Sequence, residues 1–164
     1  MLERLSGFST SELCDGSSFP RAMDYHIKPW VGDKRIVGRA VTVDVPAGEG
    51  DLIADAILQL KKGDVLVIAG KGCCDYSYWG DFRSFCARTA GAVGGCRSSH
   101  VPVSCGGVCV RPGEIIVGDE NGVCVIDPEE AEVIMEKAEK KRAAQEQVVR
   151  EIRKTGILRT RIKK

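Results

Sequence analysis

Residues 64–70, Asp-Val-Leu-Val-Ile-Ala-Gly, put the tightest limit on what this chain can fold into. The run is apolar at odd and even positions alike. A strand with that pattern is buried on both faces and sits in the middle of a sheet. Just before it, residues 51–63 place Leu52, Ile53, Ala56, Ile57 and Leu60 on one stripe of a helix. Lys61 and Lys62 then suit the negative end of the helix dipole, and Gly63 suits its stop. Residues 36–45 alternate, with Val37, Val41, Val43 and Val45 on one face, and read as a strand.

The same reading extends in both directions. Ser9-Thr10-Ser11-Glu12 predicts a short capped helix, followed by a loop to about residue 29. Gly70, Gly72 and Gly80 bracket a loop, after which a helix turns Phe82, Phe85, Cys86 and Thr89 inward and stops before Gly91. Residues 101–127 are β-rich, with turns at Pro112-Gly113 and Asn121-Gly122. Asp127-Pro128-Glu129-Glu130 then opens a long helix: Asp127 caps, Pro128 fits the first position and Glu130 closes a capping box. It reaches about Lys154, roughly 40 Å at 1.5 Å per residue. Its apolar positions thin out between Glu139 and Gln147 and resume at Val148, Val149 and Ile152. Such a helix either projects to pack on a neighbouring subunit or ends as a solvated tail. The order of elements predicts one α/β domain, with a body over residues 1–127 and a helix with a basic tail over 128–164.

Size and charge remove several function classes. A chain of 164 residues buries a core without staples. A net charge of +1 gives no general attraction to nucleic acid or to an anionic membrane. No apolar run approaches the ~18 residues of a membrane helix. Glu3 and the lack of a long apolar core near the start argue against a secretory leader, so a cytoplasmic location is expected. With eight cysteines but no C-x-x-C, the thiols are expected to be small apolar residues rather than a disulfide framework. Cys96, His100, Cys105 and Cys109 have zinc-ligand chemistry, but their order matches no common zinc module.

Two features carry possible chemistry. In Trp79-Gly80-Asp81 a carboxylate follows glycine at a helix start. There Asp81 can cap, or the N–H groups of Phe82 and Arg83 can hold a carboxylate or phosphate. In Gly94-Gly95-Cys96-Arg97 the guanidinium of Arg97 can grip a carboxylate with two prongs, or simply face solvent.

The blocks at 8–16, 35–45, 63–70 and 79–81, and above all residues 101–134 (VPVSCGGVCVRPGEIIVGDENGVCVIDPEEAEVI), resemble the RraA-like family. That family includes the regulator of ribonuclease activity A and the class II 4-hydroxy-4-methyl-2-oxoglutarate aldolases. The resemblance implies a swivelling β/β/α fold assembled as homotrimers or hexamers, with sites near subunit interfaces. It places the family's substrate loop on Gly80, Asp81, Phe82 and Arg83, with Asp81 as the acid that orients water near a divalent metal, Mg²⁺ or Mn²⁺. The substrate implied is a small 2-oxo acid. An Arg-Asp pair completes the site in the family's enzymes, its arginine steadying substrate and its aspartate holding the metal. Arg97 takes the arginine's place, after fewer residues than in the family, and Ser98 stands where the aspartate is expected. Only Ser98-Ser99-His100 separate Arg97 from Val101, so a segment near 98–100 is short here. The resemblance leaves two functions open: a metal-dependent aldolase or oxaloacetate decarboxylase, and a non-catalytic regulator that binds a ribonuclease or another protein.

Overall fold

The computed structural model describes residues 1–27, 35–71, 77–95 and 102–158. Along the chain run α1 (Leu2–Leu5), α2 (Thr10–Gly16), β1 (Ile36–Asp44), α3 (Asp51–Leu58), β2 (Asp64–Ala69), α4 (Asp81–Thr89) and β3 (Gly94–Gly95). There follow β4 (Val103–Cys105), β5 (Val108–Val110), β6 (Ile115–Asp119), β7 (Gly122–Ile126) and α5 (Ala131–Thr155). Five strands make one sheet in the order β3-β2-β1-β6-β7, and β4-β5 is a separate hairpin. β1, β2 and β3 run parallel, whereas β6 is antiparallel to β1 and to β7.

The run at 64–69 is the central buried strand its composition requires, with Val65 to Ala69 all buried. Register sets Val41 beside Leu66 and Val43 beside Ile68. On that face they pack beneath α3 and α4, through Ile53, Ile57 and Ala87. Further along the same sheet, Ile115, Val117, Cys124 and Ile126 lie under α1, α2 and α5, against Leu5, Leu13, Ile134 and Met135. On the opposite face Ala40, Val65, Val67, Ile116 and Val125 meet the hairpin's Val103, Cys105, Val108 and Val110. Hairpin, sheet and helices are three layers of one α/β domain, β/β/α in section, with a long C-terminal helix.

Polar ties join the layers. The Arg21 guanidinium meets the buried Glu114 carboxylate with both prongs, at 2.7 and 2.8 Å, and also donates to the Cys109 carbonyl of the hairpin. Burial pushes the Glu114 carboxyl up, but Arg21 and the Arg111 N–H outweigh it and leave it below its ordinary value. The buried Asp119 accepts the N–H and hydroxyl of Thr10, at 2.7 and 2.6 Å, and so fastens the start of α2 to the β6–β7 turn. Gly16 lets α2 approach α5, since a Cβ there would lie 2.3 Å from the Ile134 carbonyl oxygen.

Several expectations need correction. β1 is buried on both faces, because its even positions Gly38, Ala40 and Thr42 are covered as well; small side chains there let the hairpin sit close. α3 stops at Leu58 with Gln59 as its C-cap, so Lys61 and Lys62 fall in the following turn. Leu52 is 40% exposed and leaves the buried stripe to Ile53, Ala56, Ile57 and Leu60. The inward face of α4 is not the aromatic one: Phe82 and Phe85 are 75% and 69% exposed, and Thr89 is exposed too. Arg83 anchors the other side of that helix, which rolls both phenylalanines outward.

At the C-terminal helix, Asp127 accepts the Glu129 N–H at 2.9 Å through its side chain. Its carbonyl accepts the Glu130 N–H at 3.0 Å. These bonds close a turn ahead of α5, which starts at Ala131 without a side-chain cap. A reciprocal capping box occurs instead at α2, between Ser9 and Glu12. α5 ends at Gly156 in the left-handed region, φ 68°, and its buried residues are Ala131, Ile134, Met135 and Ala138.

Candidate functional site

Parallel β1 and β2 end together, Asp44 beside Ala69. In open α/β sheets ligands bind outside the carboxyl ends of such strands, where the connecting loops diverge. Residues 45–50 leave from that edge, as does the stretch that leads to α4. The two are held together at three points. Lys71 Nζ lies 2.9 Å from Asp44 Oδ2 at the start of the first loop. In its middle, the Tyr78 hydroxyl accepts the Gly48 N–H at 3.1 Å and donates to the Pro46 carbonyl at 3.3 Å. At its end, Arg83 Nη2 donates to the Gly50 carbonyl at 2.9 Å, while Nη1 donates to the carbonyl of Tyr78. Tyr78 is 2% exposed, so the clasp is built into the core rather than laid over it. Lys71 has φ 48°, the sole positive value among the described residues other than glycine, a backbone state that side chains seldom adopt.

Gly80 is the extended N-cap of α4, and Asp81 is its first residue. A Cβ placed on Gly80 meets nothing within 4 Å, so the space above the helix start is open. The exposed Asp81 carboxylate accepts the Phe82 N–H at 2.8 Å. The Gly80 carbonyl accepts both the N–H and the hydroxyl of Ser84, at 3.0 and 2.8 Å.

The structure thus puts Gly80, Asp81 and Phe82 at an open helix start, with one qualification: Asp81 already takes the Phe82 N–H. Arg83 turns from that opening toward Tyr78 and Gly50. Arg97, Ser98, Cys96 and His100 lie outside the described residues. Cys105 and Cys109 occupy opposite faces of the hairpin, one buried and one exposed, so they do not converge on one ion. Among the described residues no three His, Cys, Asp or Glu side chains could share a metal. Sequence reasoning missed Asp44, Tyr78, Lys71 and Gly50. Nothing local marks them, because each matters only through a partner in the other loop.

Comparison with known proteins agrees with this architecture. The chain is 34% identical over 153 residues to a putative 4-hydroxy-4-methyl-2-oxoglutarate aldolase of Halalkalibacterium halodurans, covering 73% of each protein. Its fold matches that of Streptomyces coelicolor RraAS2, an unusual member of the RNase ES inhibitor RraA protein family. The TM-score is 0.68 at 20% identity, over 88% of this chain and 93% of that one. It also matches the RNA-processing inhibitor RraA from Thermus thermophilis, with a TM-score of 0.62 at 21% identity, over 73% and 92% of the two chains. The RraA-like (Aldolase/RraA) family model matches in two pieces, residues 10–96 and 92–125, which overlap at 92–96. With most of its length matched, the chain belongs to the RraA-like family.

Proposed function

We propose that the chain is a lyase of the pyruvate-aldolase type. It would cleave a 4-hydroxy-2-oxo acid such as 4-hydroxy-4-methyl-2-oxoglutarate, or decarboxylate oxaloacetate. The observation that carries this reading is the open start of α4 at the carboxyl edge of β1 and β2, with Asp81 exposed at its mouth and both flanking loops clasped. The relative named as a putative aldolase supports it.

The donor chemistry leaves Mg²⁺ or Mn²⁺ the single exposed carboxylate of Asp81, since Ser98 replaces the charged oxygen ligand such a cation favours. It does not suit a closed zinc cage, which needs four side chains. Held near Asp81, such a cation would supply Lewis-acid polarisation of the 2-keto oxygen. Asp81 orients the water that returns a proton to the substrate carbon after cleavage. Arg97 adds positive charge toward the substrate, and the backbone from Gly80 to Arg83 receives its carboxylate. Residues 1–127 form the catalytic body in this reading, and 128–164 reach toward a neighbour in a homotrimer or hexamer in the cytoplasm. No helix among the described residues is long and apolar enough to cross a membrane.

The deciding experiment is pyruvate formation from oxaloacetate by the purified chain with Mg²⁺ or Mn²⁺, against a chelator control. Metal-dependent turnover supports the lyase; its absence with both cations ends that reading. The second reading is a non-catalytic regulator that binds a ribonuclease or another protein. It is favoured by Ser98 in place of an acid and by the uncovered Phe82 and Phe85.

A further inference from the structure

Cys14 of α2 packs against the core cluster that holds Cys124 of β7, and both side chains line one crevice. Cys124 is 2% exposed within the core beneath α2. Cys14 is half-buried, and both line a narrow crevice bordered by Ser17, Phe19 and Pro20. One thiol is therefore reachable from solvent and the other waits behind it. We propose that Cys14 and Cys124 are an oxidisable dithiol, closed to an intramolecular disulfide by a low-molecular-weight disulfide such as oxidised glutathione.

The roles follow from the surroundings. The Cys124 S–H holds the Cys14 thiol down at about 7, against burial and the nearby carboxylates of Asp15 and Asp119. The contact with Cys14, together with burial, pushes the Cys124 thiol well up. Thiolate is the attacking form, so Cys14 acts first. Its sulfur attacks one sulfur of glutathione disulfide, forming a mixed disulfide and releasing one glutathione thiolate, which takes a proton from water. Cys124 then gives its proton to solvent and attacks the Cys14 sulfur, expelling the second glutathione. Two protein thiols are oxidised, one small disulfide is reduced, and α2 becomes covalently fastened to β7.

The test uses the full chain incubated with oxidised glutathione and then blocked with an alkylating agent. Under denaturing conditions two fewer thiols should be alkylated than in the untreated chain, and peptide mapping should join Cys14 to Cys124. Cys124→Ala should stall at a glutathione adduct on Cys14, and Cys14→Ser should give neither adduct nor bond at this place. A bond mapped to other cysteines, or no bond at all, overturns the proposal. Capture of Cys14 by iodoacetamide in the unmutated protein provides a check free of folding effects. Its rate should rise with pH through an inflection near 7, and an inflection at or above the ordinary thiol value of about 8.5 overturns the assignment of Cys14 as first nucleophile.

Discussion

Arg83, in the first turn of α4, donates to the carbonyl of Gly50, the residue that precedes α3. A second donation, to the Tyr78 carbonyl, makes the guanidinium a clasp between two loops at one end of the sheet. Hydrogen bonds from a charged donor contribute about 1.5–3 kcal/mol each, and Arg83 is half-buried. Arg83→Ala should lower the urea midpoint by an amount worth about 2 kcal/mol. Arg83→Lys should recover only part of it, since an ammonium cannot reproduce the planar fork. A variant of unchanged stability but raised KM would mark Arg83 as a substrate ligand instead.

Asp81 offers the opposite balance. Its side chain is exposed and, among the described residues, its hydrogen bond is to the N–H of its neighbour. Gly80, not Asp81, is the N-cap, and losing one exposed hydrogen bond costs about 1 kcal/mol. Loss of a water-orienting acid costs on the order of a hundredfold in rate. Asp81→Ala should therefore keep its melting temperature within a few degrees while oxaloacetate turnover collapses. Ser98→Asp should tighten Mg²⁺ or Mn²⁺ binding, read by calorimetry, if Arg97-Ser98 occupies the place of the family's Arg-Asp pair.

The α2–α5 contact carries an acid limb of stability. Arg142 holds Glu12 with bonds of 2.6 and 3.0 Å and lies 4.6 Å over the Phe8 ring. That hydrogen bonding, against partial burial and aided by the Ser9 N–H, brings the Glu12 carboxyl down to about 2. The folded value lies below the unfolded one of about 4.3. The contribution is thus complete above the unfolded value and is lost as pH falls through about 2. Melting curves of Glu12→Gln and the unmutated chain should differ at neutral pH and converge toward pH 2.

Phe82 and Phe85 stand uncovered side by side on α4. Large aromatic side chains in one exposed patch mark a contact surface. Light scattering of the purified chain at micromolar concentration should give a trimer or a multiple of it. Phe82→Asp with Phe85→Asp should reduce that to monomer with little change in secondary structure. A monomeric unmutated chain would remove the basis for sites built between subunits.

The sequence by itself determined the elements whose burial is written locally. The apolar run at 64–69 had to be central, Ser9 with Glu12 had to cap a helix, and glycines at 113 and 122 had to turn the chain. A strand apolar on both faces, a reciprocal cap and a residue beyond the steric limits of other side chains each state their structure within a few residues. Only the tertiary structure decided which face of α4 looks inward. Periodicity places Phe82 and Phe85 in the core, but a two-point anchor on Arg83 outbids it. The same holds for the clasp of Tyr78 and Arg83 over residues 46–50, for the reach of Arg142 to Glu12 and for the meeting of Cys14 with Cys124. These contacts join residues that are distant in sequence, and their energies depend on a distance and an angle that no local pattern encodes.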